Sequence, residues 1–148
     1  MLQEFSTPIS RQPSTVVLET ERLTLRRPTL ADVKAIARLA NDRRIAENTR
    51  RLPHPYRQDD ATHFVKTVAG DSSNTVFLIE HHHTPVGVVG IDWRKPETPE
   101  LGYWLGVDYW GRGFGTEAAR AAIDFAFEEF AIEQMISGAR VVNPASRN

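Results

Sequence analysis

The sequence predicts one α/β domain of the α+β kind, with a mixed central sheet and helices on both of its faces. Two β-rich runs, residues 75–80 and 86–93, are joined by a short polar link and predict an antiparallel hairpin. An apolar strand at residues 100–107 leads through a glycine-rich loop into an amphipathic helix. The predicted order is strand, helix, helix, three strands, helix, strand, which favours a sheet covered by helices.

The first part of the chain predicts a leader, a strand and a helix. Residues 1–15 mix proline, serine and glutamine without periodicity, so we expect a flexible leader, with residues 16–148 forming the domain. Residues 22–27 alternate apolar and polar side chains, as a half-buried strand does. Thr29 and Asp32 have the spacing of a capping box, and apolar residues at helical spacing follow up to Ala40.

Residues 41–58 predict a long irregular connection that contains five arginines and two prolines. Loops of this length often carry function, so contact with a substrate is one interpretation. The other, equally open, is a solvated loop whose arginines pair with Glu47, Asp59 or Asp60. Residues 61–68 then place apolar side chains at helix spacing, and Asp59 or Asp60 can cap that second helix.

The tip of the predicted hairpin carries three adjacent histidines, His81, His82 and His83, followed by Thr84 and Pro85. A metal site is disfavoured because neighbouring strand residues point to opposite faces and no carboxylate cluster lies nearby in the sequence. We expect a solvated turn.

The last predicted elements are a helix and a strand. Apolar residues recur at helical spacing from Ala119 to Phe130, and Arg120 can pair with Glu117 and Asp124 on the polar side. Residues 134–142 predict a single strand after this helix.

Composition excludes several classes of function. A net charge of −1 over 148 residues argues against bulk binding to nucleic acid or to an anionic membrane. The chain has no cysteine, hence no disulfide framework and no thiolate nucleophile, and we expect a cytoplasmic protein. No apolar run approaches the roughly 20 residues needed to cross a bilayer.

The glycine loop is the strongest functional signal. Gly111, Gly113 and Gly115 alternate, which lets the backbone adopt positive φ and approach a ligand closely. The helical pattern from Thr116 onward places free N–H groups and the positive end of the helix dipole at the same point, which predicts a phosphate site. A Rossmann turn is disfavoured because Glu117 stands where a final glycine or alanine is needed, and the chain has no Gly-Lys-Ser/Thr of a P-loop.

Together with the strand at residues 101–107, the loop of residues 108–120 resembles the acyl-CoA signature of the GNAT N-acetyltransferase family. It is most similar to the RimJ/RimL-like branch, which acetylates ribosomal-protein N-termini. The resemblance extends from residues 18–23 to residues 143–146, and Trp110 departs from it by replacing the usual Arg or Gln. It implies the GNAT fold, with a mostly antiparallel twisted sheet, and acetyl-CoA as co-substrate without a metal.

The resemblance also implies a set of coenzyme-binding residues. We expect the loop amides at the diphosphate, the backbone of the preceding strand and Asn143 along the pantetheine arm, and Trp110 packed beside the loop. The full set is Leu105, Val107, Trp110, Gly111, Arg112, Gly113, Phe114, Gly115, Thr116 and Asn143.

Two catalytic residues follow from the same resemblance. Glu100 stands where the branch often carries a glutamate that acts on the acceptor amine directly or through water, and a solvated position after a proline turn is the equal alternative. Ser146 matches a serine proposed to meet the leaving thiolate, although Asn143 and Ser146 are also ordinary helix-capping residues. Tyr103, Trp104 and Trp93 are candidates for the acceptor groove, but strand aromatics more often belong to the core.

In the resembling family a short helix and at least one more strand follow the residues that match 143–146. We therefore expect this chain to lack them, to expose apolar positions of the strand at residues 134–142, and to self-associate or be marginally stable. A homodimer is one form that this association can take.

Two functions are compared. The leading hypothesis is an acetyl-CoA-dependent N-acetyltransferase that acts on a primary amine, either a small molecule or a protein N-terminus, with no nucleic-acid or membrane partner. The second is an acyl-CoA-binding or assembly module with little turnover. A Rossmann-type nucleotide-binding domain is disfavoured by the hairpin at residues 75–93.

Overall fold

The structure is a computed structural model that describes residues 16–49, 52–138 and 140–143. The predicted leader, residues 1–15, and Ser146 lie outside the described residues. Seven strands form one sheet in chain order. They are β1 (Leu18–Glu19), β2 (Leu23–Arg26), β3 (Asn74–His81), β4 (Thr84–Asp92), β5 (Glu100–Leu105), β6 (Met135–Ser137) and β7 (Arg140–Val142).

Within the described residues, four α-helices connect these strands. They are α1 (Val33–Ala40), α2 (Arg43–Asn48), α3 (Gln58–Gly70) and α4 (Phe114–Glu129). Every neighbouring pair of strands is antiparallel except β5 and β6, which are parallel and joined through α4. The mixed, mostly antiparallel sheet expected from the sequence is confirmed.

The sheet has a hydrophobic core on each face. On one face α4 packs against β2, β4 and β5 over a core that includes Phe77, Ile79 and Trp93. On the other face α1 and α3 pack over Leu78 and Val88. Successive residues of β3 thus pack into the cores on opposite faces of the sheet, as the two-residue period of a strand requires. The prediction of helices on both faces is correct.

Ion pairs connect the residues before the first helix to the sheet. A short 3-10 turn, Leu30–Asp32, precedes α1, and the Asp32 carboxylate accepts from the Thr29 N–H at 2.7 Å, as the capping-box spacing predicts. Arg26 donates to Asp32 at 2.8 Å and to Glu80 at 3.0 Å. Burial raises the pKa of Asp32, but the bonds from Arg26 and Thr29 outweigh it and hold that pKa below its ordinary value.

Three details of the predicted element order were wrong. Residues 134–142 do not form one strand, because the chain reverses at Gly138, which has φ +65°, and makes the hairpin of β6 and β7. The connection at residues 41–58 is not wholly irregular, since it contains α2, capped by the Asp42 carboxylate on the Arg44 N–H. The two-residue strand β1 was not expected.

The hairpin of β3 and β4 turns at His82 and His83, whose φ values of 50° and 64° are both positive. Positive φ at both central residues is the mark of a type I′ turn, whose backbone twist matches that of the flanking strands. His82 and His83 are exposed, as predicted for a solvated turn. His81 instead packs its ring against Phe114 at 4.7 Å between centroids. Within the described part of the chain, no helix combines the length and the apolar character needed to cross a bilayer.

Candidate active site

The candidate site lies where the central sheet splits. β5 is paired with β4 along its whole length, from Glu100 opposite Asp92 to Leu105 opposite Gly87. Its ladder with β6 covers only Glu100 and Leu101. Residues 102–105 of β5 therefore have an edge that β6 does not cover.

The alternation of the antiparallel ladder decides which backbone groups reach this edge. The Gly106 N–H donates to the Val86 carbonyl at 2.8 Å, so even-numbered residues of β5 bond to β4 and odd-numbered residues face away. Tyr103 and Leu105 thus turn their N–H and C=O groups toward the open edge. The Leu105 carbonyl accepts from Trp110 Nε1 at 2.9 Å. A peptide-like ligand can pair with the remaining groups as an added strand would.

The glycine loop follows a 3-10 turn, Val107–Tyr109. The Trp110 N–H donates to the Val107 carbonyl at 3.1 Å, and Gly111 and Gly113 then adopt φ values of 77° and 81°. Positive φ is strained for other residue types, so both positions require glycine for the reason expected from the sequence.

α4 begins at Phe114 with Gly113 as its N-cap, two positions earlier than the helical pattern predicted. Its first intrahelical bond runs from the Glu117 N–H to the Gly113 carbonyl at 3.0 Å. The N–H groups of Phe114, Gly115 and Thr116 therefore have no acceptor within the helix. They extend from its N-terminal end, where the helix dipole is positive. An anion is the ligand that this arrangement favours.

Gly115 serves a different purpose from the one expected. It lies inside α4 and has no positive φ. A Cβ built there would meet the Tyr103 ring, with Cζ at 2.8 Å and the hydroxyl oxygen at 3.0 Å. Gly115 thus lets the helix approach the side chain of Tyr103 closely, so the expectation that it relaxes the loop backbone was wrong.

An ion pair that was not predicted from the sequence contacts the glycine loop on the side away from the cleft. Arg22 Nε donates to Glu117 Oε1 at 2.7 Å, and Arg22 Nη1 donates to the Arg112 carbonyl at 2.9 Å. The Arg22 N–H and the Thr20 hydroxyl both donate to Glu117 Oε2. Nothing local in residues 20–23 indicates these partners, which lie 90 and 95 positions from Arg22 along the chain.

Glu117 is therefore bonded to the turn between β1 and β2, and the predicted pairing with Arg120 was wrong for this residue. Partial burial raises the pKa of Glu117, but the hydrogen bonds from Thr20 and Arg22 outweigh it and hold that pKa below its ordinary value. The carboxylate is ionised at neutral pH and fixes the first turn of α4 to the edge of the sheet.

These elements enclose a cleft of about 470 Å³. Its lining combines α2, the end of β5 and the glycine loop: Ile45, Asn48, Thr49, Tyr103, Trp104, Leu105, Trp110, Gly111, Gly113, Gly115 and Thr116. The open edge of β5 and the helix N-terminus thus share one cavity. Residues of the 41–58 connection reach it through α2.

The structure bears on both interpretations of the 41–58 connection, but the arginine pair that it shows is with Asp42 and not with the predicted Glu47, Asp59 or Asp60. Asn48 and Thr49 line the cleft. Arg44 forms an ion pair with Asp42 at 2.8 Å, and its hydrogen bonds lower the pKa of Asp42 to about 2. The connection thus contains cleft-lining residues and a locally paired arginine.

A second groove, of about 1060 Å³, lies between residues 16–22 and the outer side of α4. Its acidic lining residues are Glu19, Glu21, Glu117, Asp124, Glu128 and Glu129, which outnumber the basic Arg22 and Arg120. A diphosphate would be repelled there, so the smaller cleft is the better anion site although the outer groove is larger.

The predicted coenzyme residues divide into two groups. Leu105, Trp110, Gly111, Gly113, Gly115 and Thr116 line the cleft. Val107, Arg112, Phe114 and Asn143 do not belong to that lining. Phe114 is 2% exposed and belongs to the core, and the Arg112 guanidinium lies 5.5 Å from the centre of the Tyr109 ring. Asn143 follows β7 and is exposed.

Of the two predicted catalytic residues, Ser146 lies outside the described residues and Glu100 does not belong to the lining of the cleft. Glu100 is exposed at the first position of β5, on the same face of the strand as Trp104 but four residues before it.

Trp110 packs beside the loop, as expected, and is 42% exposed. Tyr103 and Trp104 line the cleft, whereas Trp93 is buried and donates from Nε1 to Thr75 Oγ1 at 2.9 Å. The core prediction was thus correct for Trp93 among these aromatics.

Known proteins share this architecture. The family described as the acetyltransferase (GNAT) domain matches residues 22–148. An uncharacterized N-acetyltransferase, p20, of Bacillus licheniformis is 27% identical over 116 residues, covering 74% of this chain and 65% of that protein. This chain therefore spans less than two thirds of the length of that relative.

Solved structures show the same fold. A GNAT-family acetyltransferase from Bacillus anthracis superposes with a TM-score of 0.72 at 22% identity, over 82% of this chain and 72% of that chain. The ribosomal-protein acetyltransferase RimL, solved in complex with coenzyme A, gives a TM-score of 0.70 at 17% identity, over 82% and 73% of the two chains. At these identities the likeness shows the fold alone. The family match, over most of the chain, shows that this protein belongs to the GNAT acetyltransferase family.

Proposed function

We propose that this chain is an acetyl-CoA-dependent N-acetyltransferase that transfers an acetyl group to a primary amine by direct attack in a ternary complex. The observation that carries the proposal is the cleft itself, in which unbonded amides of a helix N-terminus adjoin the uncovered edge of β5. One end of this cavity suits a diphosphate, and the other suits an extended arm with amide groups. Acetyl-CoA combines these two features.

The residues that would hold the coenzyme follow from this geometry. The N–H groups of Gly113, Gly115 and Thr116 would bind the diphosphate, with Gly111 allowing close approach of the loop. Tyr103 and Leu105 would pair with the pantetheine arm through their outward backbone groups. Val107 and Asn143 stay in the proposal as contacts further along the arm.

The chemistry requires three tasks of the protein. Bound acetyl-CoA supplies a thioester, whose carbonyl carbon forms a bond to the acceptor nitrogen while the bond to sulfur breaks. An N–H group at the open edge of β5 that the pantetheine arm leaves unbonded would stabilise the charge that develops on the carbonyl oxygen. Glu100 would accept the proton that the amine loses, and Ser146 would donate a proton to the leaving thiolate.

Glu100 needs a water relay to perform its task. Each strand residue advances the chain by about 3.3 Å, so Glu100 lies roughly 13 Å along β5 from Trp104, which lines the cleft. The two side chains lie on the same face of the strand, and along that face the proposed water would connect the carboxylate and the acceptor. Ser146 lies outside the described residues.

The acceptor is proposed to be a protein N-terminus or a small amine. We also propose membership of the ribosomal-protein branch, as the name of RimL, a ribosomal-protein alpha-N-acetyltransferase that shares the fold, suggests, together with a cytoplasmic location. The aromatic side chains of Tyr103 and Trp104, with Asn48 and Thr49 of the neighbouring helix segment, form the wall that such an acceptor would meet.

Coenzyme binding is tested with a pair of matched glycine variants. Gly111 and Gly138 both have positive φ and open space where a side chain would stand, but only Gly111 lines the cleft. CoA at a hundredfold excess over its Kd should stabilise the wild type by about 2.7 kcal/mol. Gly111→Asp should lose most of this thermal shift because it places a negative charge beside the diphosphate, whereas Gly138→Asp should keep it. Equal shifts in the two variants would remove the glycine loop from the site.

Turnover is tested separately, by thiol release from acetyl-CoA in the presence of a panel of amines and N-terminal peptides. Thiol release that depends on the acceptor supports the transferase. CoA binding without release across the panel would favour the alternative, an acyl-CoA-binding or assembly module. The position of Glu100 outside the cleft lining is the observation that keeps this alternative open.

A further inference from the structure

Arg22 is in contact with the back of the glycine loop through three different interactions. Its Nη1 donates to the Arg112 carbonyl at 2.9 Å, its Nε donates to Glu117 Oε1 at 2.7 Å, and its guanidinium lies 4.7 Å from the centre of the Phe114 ring. A Cβ built on Gly113 would lie 3.3 Å from Arg22 Nη2. One side chain thus spans the loop from Arg112 to the first turn of α4.

Arg22 itself is held in place. Its own N–H donates to Glu117 Oε2 at 2.9 Å, and Thr20, two residues earlier, donates to the same oxygen. The Thr20 hydroxyl also accepts from the Leu23 N–H at 2.9 Å, which fixes the turn between β1 and β2. The guanidinium is therefore fixed at both its backbone and its carboxylate partner, although its side chain is 41% exposed.

The bond to the Arg112 carbonyl determines the orientation of one peptide group. In a planar trans peptide the N–H points opposite to the C=O. When Arg22 holds the Arg112 carbonyl, the N–H of Gly113 in the same peptide must point away from Arg22. Arg22 lies in the outer groove and not in the lining of the cleft, whereas Gly113 borders both. The Gly113 N–H is thus directed to the cleft side of the loop.

Without this bond the same peptide has an accessible alternative. This peptide turns about ψ of Arg112 and φ of Gly113, and glycine at position 113 imposes little resistance to a change in φ. A rotated peptide would present the Arg112 carbonyl oxygen to the cleft, where it would repel a diphosphate that the N–H would bind.

We propose that Arg22 is a positioning residue for coenzyme binding, which locks the peptide between Arg112 and Gly113 with its N–H toward the diphosphate. The inference rests on the proposed function, since the ligand is the diphosphate of acetyl-CoA. Arg22 does not touch the ligand, and it acts through the peptide that it holds and through Glu117.

Two substitutions separate this role from simple charge attraction. Arg22→Met keeps an apolar stem and removes every donor. Arg22→Lys keeps the positive charge but cannot reproduce the planar fork that bonds Glu117 and the Arg112 carbonyl together. Arg94→Met is the matched control, because Arg94 is also exposed and pairs with a carboxylate, that of Asp92 at the end of β4.

The measurement is the Kd of CoA by calorimetry, together with steady-state kinetics at varied acetyl-CoA and thermal melts without ligand to show that each variant is folded. Both Arg22 variants should raise the Kd by roughly tenfold or more, as expected for loss of a charge-assisted hydrogen bond that orients the site. The KM for acetyl-CoA should rise with a much smaller change in kcat, because the diphosphate lies away from the reacting carbonyl. Arg94→Met should bind CoA as the wild type does.

The outcomes separate the two proposals. If the wild type binds no CoA, the proposed function fails, and this inference fails with it. If the wild type binds CoA and Arg22→Met binds it equally well, only the inference is overturned. Recovery of wild-type affinity in Arg22→Lys would also overturn it, since positive charge and not the orientation of the peptide would then be responsible.

Discussion

The close contact between Gly115 and Tyr103 offers a direct test of how α4 is seated on the sheet. Gly115→Ala adds one methyl group inside α4, where it would collide with the Tyr103 ring, whose Cζ lies 2.8 Å from the new carbon. Non-bonded carbon atoms do not approach one another this closely, so the ring or the helix must move. Tyr103 is 46% exposed, and the ring is therefore the part with room to move.

Two opposing terms set the size of the effect. Overpacking of this kind costs about 1 to 3 kcal/mol. Replacing glycine by alanine in a helix returns up to about 1 kcal/mol through backbone entropy and helix propensity. Gly115→Ala should therefore destabilise the protein by roughly 0 to 3 kcal/mol. In a Tyr103→Ala background the collision is absent, and the same change should be stabilising by up to about 1 kcal/mol.

Urea unfolding of the wild type, the two single variants and the double variant measures the coupling between the two positions. We expect a coupling free energy of about 1 to 3 kcal/mol, equal to the overpacking term. Gly70→Ala is the control, since Gly70 also lies in a helix, at the end of α3, but has nothing within 4 Å of the added carbon. Its effect should stay within about 0.5 kcal/mol.

The prediction fails if the stability changes of Gly115→Ala and Tyr103→Ala simply add in the double variant. If Gly115→Ala has the same effect with and without the Tyr103 ring, the contact between α4 and β5 does not depend on this glycine. A stabilised single variant, similar to Gly70→Ala, would lead to the same conclusion.

Three further predictions follow from other positions. Gly87→Ala should destabilise the protein by at least about 2 kcal/mol in urea unfolding, because the added Cβ would collide with the backbone carbonyl of Trp104. Gly102→Ala is the control: its added Cβ has no atom within 4 Å, and the change should be neutral or slightly stabilising. The pKa of Glu117 lies below its ordinary value of 4.5, so the stability advantage of the wild type over Glu117→Gln should be full above about pH 4.5 and should vanish as the pH falls through the lower folded-state pKa, as thermal melts at each pH will show. Glu100→Gln should lower kcat by a factor on the order of 10² to 10⁴ with little change in the KM for acetyl-CoA. If this variant keeps wild-type turnover across about pH 6 to 9, Glu100 is a solvated residue of the turn and not a general base.

Local patterns in the sequence predicted most of the elements. The capping spacing of Thr29 and Asp32, the two β-rich runs around the histidines and the strand that leads into the glycine loop each depend on residues close together in the chain. The errors arose where one residue changed the outcome. Gly138 divides a β-rich run into a hairpin, and periodicity alone does not distinguish this from one continuous strand.

The candidate site was predictable only in part for the same reason. Positive φ at Gly111 and Gly113 and the helix that follows are local properties, so the position of an anion site could be read from the loop. The coenzyme and the branch came from resemblance to a family, which identifies matching positions but not their surroundings. Phe114 and Arg112 match that signature, yet the structure places them outside the lining of the cleft.

The sequence by itself determined the type and order of most elements and the loop that ends in a helix, because these depend on periodicity, capping and glycine content within a few residues. Tertiary structure alone decided the rest. β6 leaves β5 after two residues, Tyr103 occupies the space beside Gly115, and Arg22 reaches a carbonyl 90 positions away. Each of these contacts depends on how two distant segments approach one another, and that distance is set by packing of the whole sheet against its helices, which no local pattern encodes.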